Sequence, residues 1–473
     1  MAARVTWRRL VLVVAALGGA VAVILWDQLA RVSETAVFDN PEEHYKYGGL
    51  SLEPGFPYYV WAVMPEVFAD LLPRPGGWEV FGFVDEGRGY PVGFAKQTVG
   101  YPGLTPNCAL CHTGAYRPAE GAAPVPVPAA PASALDFGAF RRFLFEAAAD
   151  DRFSSAVLLD AIERRFELGV VESLVYRTVL IPMLRRSLLE QRAAAAWTES
   201  RPDPGRGRFD AFNLLKIEVL GMEDDGSVAT SDYPPLWNHA ARRGLRLHWN
   251  GGSDDLEQED LMSVYSLNRG VAGFAAASFE RVRDYIATRP APAYPFSVDS
   301  TLAAAGAEVF AAACGACHAE GGERFGQVTA QAEVGTDPEF LSMWSEAFVE
   351  RLRSIDEGPF RFPDLRVTDG YVNVPLDGLW LRAPYLHNGS VPTLAHLLSP
   401  AAERPTRFAR GRLEYDSVRV GFAWQPEGDP APEGVSWTLY DVSLPGNGNQ
   451  GHEYGVTLPG DQKRALMEFL KTR

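Results

Sequence analysis

Cys108-Ala109-Leu110-Cys111-His112 and Cys314-Gly315-Ala316-Cys317-His318 contain all four cysteines of this 473-residue chain. Two thiols separated by two residues can each form a thioether with a heme vinyl group, and the adjoining histidine then lies under the iron as its proximal ligand. Zinc and a thioredoxin-like dithiol are the alternatives. Zinc would need the two motifs to converge or further ligands at matching spacing, and a redox dithiol needs no histidine beside its second cysteine. Both motifs are complete and no cysteine is left over. The spacing therefore predicts two covalently bound c-type hemes, carried by Cys108, Cys111, Cys314 and Cys317, with His112 and His318 on the irons.

The flanks of the motifs suggest how they are housed. Ahead of the second motif, Asp299 or Ser300 can cap a helix on which Leu302, Ala305, Val309 and Ala313 share a face. A last helix is expected over 461–471. Helix, heme motif, long loops and terminal helix is the order of a small cytochrome c domain. Residues 40–106 are rich in Gly, Pro and aromatics and read as short strands and turns, so the first motif follows a loop. Residues 118–133 read as an extended Pro/Ala excursion over the surface, and a helix is expected from Asp136. A further helical region runs to about Trp197, interrupted near Pro182. Residues 289–296 look like a linker. The expected fold is mainly α, with two cytochrome c-like heme domains, long loops and few short strands, divided at 31–290 and 291–473. The two motifs recur without matching flanks, so any duplication is old or absent.

Residues 1–30 read as a membrane anchor or signal segment. Arg4, Arg8 and Arg9 precede an uncharged apolar run from Leu10 to Trp26, closed by Asp27. As a helix this run spans about 25 Å, slightly short of a hydrocarbon core of about 30 Å. The basic flank stays in the cytoplasm and sends the body outward. A cleaved signal is the rival, although its apolar region is usually shorter and ends in small residues. Both readings put the body on the periplasmic side of the inner membrane. The net charge of −16 makes a nucleic acid an unsuitable partner.

Each iron has a second axial position. His44, His239, His248, His387, His396 and His452 remain, and Met343 is the only methionine between the second motif and Met467. His452 stands in a Gly/Asn-rich loop, Gly446-Asn447-Gly448-Asn449-Gln450-Gly451-His452, that can bring an imidazole to a heme face. His387 could be a ligand, a propionate contact or a packing residue. His396 reads as a hydrogen-bonded structural residue. No residue stands out as a distal ligand for the first heme.

Taken together, Glu43-His44-Tyr45-Lys46-Tyr47-Gly48, Asn107-Cys108, Pro235-Leu236-Trp237-Asn238, Leu247-His248-Trp249-Asn250-Gly251, Ala383-Pro384-Tyr385-Leu386-His387-Asn388-Gly389-Ser390 and Gly451-His452-Glu453 resemble the di-heme cytochromes related to bacterial rubber oxygenase, distant relatives of the di-heme cytochrome c peroxidases. The resemblance runs from about residue 42 to the end and is carried by the order of the segments. It implies two hemes facing a shared interior, with O2 or peroxide taken at the first heme and electrons passed through the second. It also implies His452 as second ligand of the C-terminal heme and Trp249 as the aromatic residue between the hemes. The absence of a methionine downstream of His387 and before Met467 departs from the peroxidase pattern.

The expected function is that of a periplasmic heme oxidoreductase acting on a small-molecule oxidant, with a redox partner protein and a membrane contact through the N-terminal helix. The alternatives are a non-catalytic di-heme electron carrier and a heme-based ligand sensor, the latter without a recognisable signalling domain. The size of the chain around two hemes favours an enzyme, since a carrier needs far less protein. The segments 209–219 and 262–274 could line an oxidant pocket, with amphipathic core as their other fate.

Overall fold

Helix starts are set by short polar side chains. Asn40, Asp136, Ser154, Asp255 and Asp299 each turn a side-chain oxygen onto backbone N–H groups of the following turn. They open α1 (Pro41–Tyr47), α2 (Phe137–Ala149), α3 (Ser155–Arg165), α4 (Leu256–Leu267) and, after the uncapped α5 (Ala276–Thr288), α6 (Ser300–Ala313). The terminal helix, α7, is Gly460–Leu470. The computed structural model describes residues 36–426 and 436–473.

The expectation of a mainly α protein is corrected. Helices make up 41% of the described residues and strands 13%. The strands form seven small sheets among the described residues, most of them two-stranded and antiparallel. They are invisible to a periodicity count because several are only two residues long and exist through partners far away in sequence, such as Arg208–Phe209 with Ser231–Asp232. The N-terminal anchor belongs to the same expectation and lies outside the described residues. Among the described residues no helix is long and apolar enough to cross a membrane.

Other departures have local causes. Tyr58–Val67, expected within a strand-and-turn region, is a helix that buries Val60, Trp61, Val63 and Met64; burial of that face overrides the β preference of its aromatics. The excursion at 118–133 is not all surface, because Val125–Pro128 pairs with Thr113–Tyr116 just after the first motif and Ala129 and Ala130 are fully buried. Near Pro182 the chain stays helical, passing through a wide turn at Tyr176–Leu180 into a helix at Ile181–Ala194. In α6 the face turned inward is that of Gly306 and Phe310. Gly306 is where α6 crosses α7, and a Cβ there would stand 1.9 Å from the Ala465 carbonyl oxygen.

Three apolar clusters organise the molecule. The first gathers Trp61, Phe81, Phe140, Phe143 and Ile162, with Cys111 against it. The second joins Tyr45, Leu261, Met262 and Phe279 to Trp344, Phe348 and Leu352, with Cys108 and Trp249 packed on it. The third joins Tyr116 and Trp237 to Phe310, Trp380 and Leu466, with Cys314 against it. The second and third draw side chains from both sides of residue 290. The 289–296 segment is held at Pro292 by the Trp380 indole (2.8 Å) and through Tyr294, whose hydroxyl donates to Ser417 O (2.9 Å).

Candidate functional site

Each motif is folded into one tight turn. At the first, Asn107 accepts the Ala109 N–H and donates its amide to Gly48 O at 2.8 Å, and His112 N–H bonds Cys108 O at 3.1 Å. Helix α1 supports this turn, with the Tyr45 hydroxyl donating to His112 O at 2.6 Å. His44, next door, is fully buried with its Nε2 3.1 Å from Ser278 O, so it ties α1 to α5. At the second motif His318 N–H bonds Cys314 O at 2.9 Å.

The four cysteines are free thiols. Burial pushes Cys108 and Cys111 up to about 12 and Cys314 to about 11. A reactive dithiol needs a depressed thiol, and a zinc site needs convergent ligands; among the described residues no three His, Cys, Asp or Glu side chains gather as a metal would require. An uncharged thioether suits buried sulfur. The proximal histidines fit a heme iron equally well. His112 Nδ1 lies 2.8 Å from Pro234 O and His318 Nδ1 lies 2.9 Å from Val374 O. Each carbonyl takes the Nδ1 proton and leaves the Nε2 lone pair for a metal. Burial lowers both histidines, His112 to about 4, which keeps the rings neutral.

His452, at a left-handed φ of 47°, is carried to the second motif by its Gly/Asn loop and pinned by a 2.7 Å bond from its N–H to Val334 O. Its ring centroid is 6.2 Å from that of His318, room for one iron between two imidazoles. Met343 is fully buried in the second cluster. His396 Nδ1 lies 2.7 Å from the hydroxyl of Thr393, which caps the short helix Leu394–Leu397. Phe212, Leu215 and Met262, from the two segments offered as pocket lining, pack in the second cluster. Near His112 the neighbouring ring is Tyr233, at 6.3 Å.

Trp249 stands between the two strands that lead to the carbonyls facing His112 and His318. Its indole N–H donates to Asp232 O at 3.2 Å, two residues before Pro234, and its own carbonyl accepts the Val372 N–H at 2.9 Å, two residues before Val374. A continuous bonded route thus joins His112 to His318 through this residue.

That route exposes a duplication that the motif flanks hide. Pro234-Pro235-Leu236 matches Val374-Pro375-Leu376, and each is followed by a left-handed residue, Asn238 or Gly378, that opens a 3-10 turn, His239–Arg242 or Leu379–Arg382. Arg242 and Arg382, at the ends of those turns, meet on the carboxylate of Asp377. Next, Leu247 bridges Ser253 as Tyr385 bridges Val391. Within these loops His248 and Leu386 are left-handed, Asn250 and Asn388 are fully buried, and Gly251 and Gly389 are left-handed. Trp249 therefore corresponds to His387. The correspondence is reciprocal, because Asp232 N–H donates to His387 O at 2.9 Å just as Val372 N–H donates to Trp249 O.

Two histidine–carboxylate pairs had no sequence signal beyond adjacent acids on α4. His239 Nε2 lies 3.0 Å from Asp260 Oδ1, and His248 Nε2 contacts Glu259.

Residues 370–409, the strand and loop that include Val374 and His387, match the family described as RoxA-like, cytochrome c-like. The chain is 28% identical over 317 residues to the uncharacterized protein y4iM of Sinorhizobium fredii (strain NBRC 101917 / NGR234), an alignment covering 58% of this chain and 72% of that protein. It is 27% identical over 535 aligned positions to the uncharacterized protein y4iJ of the same strain, covering 86% of this chain and 85% of that one. The match to the RoxA-like, cytochrome c-like family thus falls on the strand that carries the Val374 carbonyl facing His318 and on the loop that carries His387.

Proposed function

We propose that this chain is a periplasmic di-heme c-type cytochrome and a redox enzyme. In this reading Cys108, Cys111 and His112 hold an N-terminal heme that takes O2 or peroxide, and Cys314, Cys317, His318 and His452 hold a C-terminal heme that passes electrons to or from a partner protein. The observation that carries it is an asymmetry between the two motifs. An imidazole faces His318 at 6.2 Å, whereas the ring beside His112 is that of Tyr233. One iron would be closed on both sides and the other open on one. A bound heme supplies the redox-active iron, whose behaviour its axial ligands tune. The chain's own residues orient the imidazoles through Pro234 and Val374, keep them neutral by burial, and link the two strands through Trp249. Periplasmic placement rests on the basic, then apolar, N-terminal sequence.

Intact mass and CO titration of the reduced holoprotein test this reading. A mass above the polypeptide by two hemes, one CO bound per chain, and loss of O2 or peroxide turnover in folded His112 variants are expected. Two low-spin hemes that ignore CO, O2 and peroxide would overturn the enzyme reading in favour of an electron carrier.

A further inference from the structure

The two cysteine motifs lie at different depths. Leu110, the third residue of the first motif, is 5% exposed, whereas Ala316, at the same place in the second, is exposed. Helix α1 covers the first turn through Tyr45, and Thr113–Tyr116, which follows His112, is buried along its whole length. The second motif runs instead into a surface loop. That loop folds back on the motif, with the Gly322 N–H on Ala319 O and the Arg324 N–H on Ala316 O, both at 2.9 Å, and its Glu320 and Glu323 are exposed.

An exposed ring stands beside this loop. Tyr454 is 39% exposed and edge-on to His452, with ring centroids 5.2 Å apart, and His452 faces His318 at 6.2 Å. The rings of His318, His452 and Tyr454 thus lead in order from the second motif to solvent. At His112 the neighbouring ring, Tyr233, is buried. The Tyr454 hydroxyl faces Glu333, which the Arg324 guanidinium holds at 2.6 and 2.9 Å, and Arg324 and Tyr454 both lie within electrostatic reach of Cys317. From Ala316 to Thr336 the acids are Glu320, Glu323 and Glu333 and the base is Arg324, so with Arg324 engaged by Glu333 the surface keeps a negative excess.

We propose that an electron-donor protein with a positively charged face docks over Tyr454 and the Glu320–Glu323 loop and passes its electron to the C-terminal heme there. The proposal rests on the di-heme reading, in which oxidant taken at the first heme must be matched by electrons entering elsewhere. Each transfer oxidises the donor by one electron and takes the iron from ferric to ferrous; no bond forms or breaks and no proton moves. Electron transfer slows steeply with the gap between donor and acceptor, and the Tyr454 ring fills that gap. The acids set the sign of the partner, because complementary charge speeds docking and selects against like charge, and salt screens it. A second copy of this chain, with a net charge of −16, is disfavoured on the same ground.

Calorimetric titration of the oxidised holoprotein with a lysine-rich c-type cytochrome, at low and at physiological salt, tests the docking. Added salt should weaken the complex at least about tenfold, and Glu320→Gln with Glu323→Gln should weaken it at least about fivefold at low salt. Glu167→Gln with Glu199→Gln, which removes equal charge from exposed positions before residue 290, should change it less than about twofold. Within the preformed complex, Tyr454→Ala should slow electron transfer severalfold and Tyr454→Phe should restore it, both with the low-spin signal of the second heme intact. Equal affinities in the two double variants, tighter binding of an acidic cytochrome, or wild-type transfer in Tyr454→Ala would overturn the proposal while leaving two covalent hemes in place. An intact mass without heme would overturn the di-heme reading and this proposal with it.

Discussion

Replacing His452 by alanine removes the ring that faces His318, and the geometry gives the size of the effect. The two centroids are 6.2 Å apart. Taking off about 1.1 Å of imidazole at each end leaves about 4.0 Å, which is two metal–nitrogen bonds of about 2.0 Å each. His452→Ala should therefore open one coordination position and no more. The reduced wild-type protein is expected to bind one CO per chain and the variant two. In the oxidised state the low-spin signal of the second heme should be lost, and the covalent heme content should be unchanged, because the thioethers do not depend on the axial ligand. His452→Met, which can return a weaker sixth ligand, should recover part of the low-spin signal. CO stoichiometry by optical titration and spin state by electron paramagnetic resonance are the assays. A variant that still binds one CO and keeps its low-spin signal would show that the close approach of the two rings is packing alone.

Trp249→Phe should keep both heme spectra while slowing electron redistribution after one-electron reduction, since it removes the indole bond to Asp232 O; redistribution at the wild-type rate would make the residue structural. Gly306→Ala places a methyl within 1.9 Å of the Ala465 carbonyl, so α6 and α7 must separate, and a loss of about 1–3 kcal/mol is expected in urea denaturation, with no loss refuting the close crossing. Burial raises Asp232 to about 6 despite Arg410, so the folded state holds this proton where the unfolded chain has released it. Stability from this group therefore falls as pH rises from about 4 to about 6, by at most about 3 kcal/mol. The stability difference between wild type and Asp232→Asn should change across that window, and a flat difference would show that Asp232 does not titrate there.

The parts legible in the sequence are those fixed by covalent or short-range chemistry. Two CxxCH motifs, the Asp136 and Asp299 caps and the apolar face of the last helix each depend on a few adjacent residues. What escaped depends on partners distant in the chain. The helix at Tyr58–Val67 is decided by the cluster that receives Trp61, and the strands Arg208–Phe209 and Ser231–Asp232 by pairing across more than twenty positions. The duplication escaped because it is written mostly in backbone angles. Asn238 and Gly378, or His248 and Leu386, share a left-handed conformation and little else, and what repeats as letters is Pro-Leu at 235–236 and 375–376, Arg at 242 and 382, and Asn-Gly at 250–251 and 388–389. Trp249 and His387, opposite in chemistry, occupy the same place.

The reciprocal bonds between Asp232 and His387 and between Val372 and Trp249 bear on how such a molecule is made. Each half supplies the acceptor that completes the other's histidine-holding strand, so neither reaches its final form by itself. The halves behave as an interlocked pair rather than as beads on a string. In the proposed di-heme reading, enzymes that attach heme would have to reach both cysteine motifs before the lock closes, and a heme missing on one side would leave the opposite side unfinished. The same interlock restrains divergence, because a change in one loop is felt at the other half's strand and the two copies must drift together.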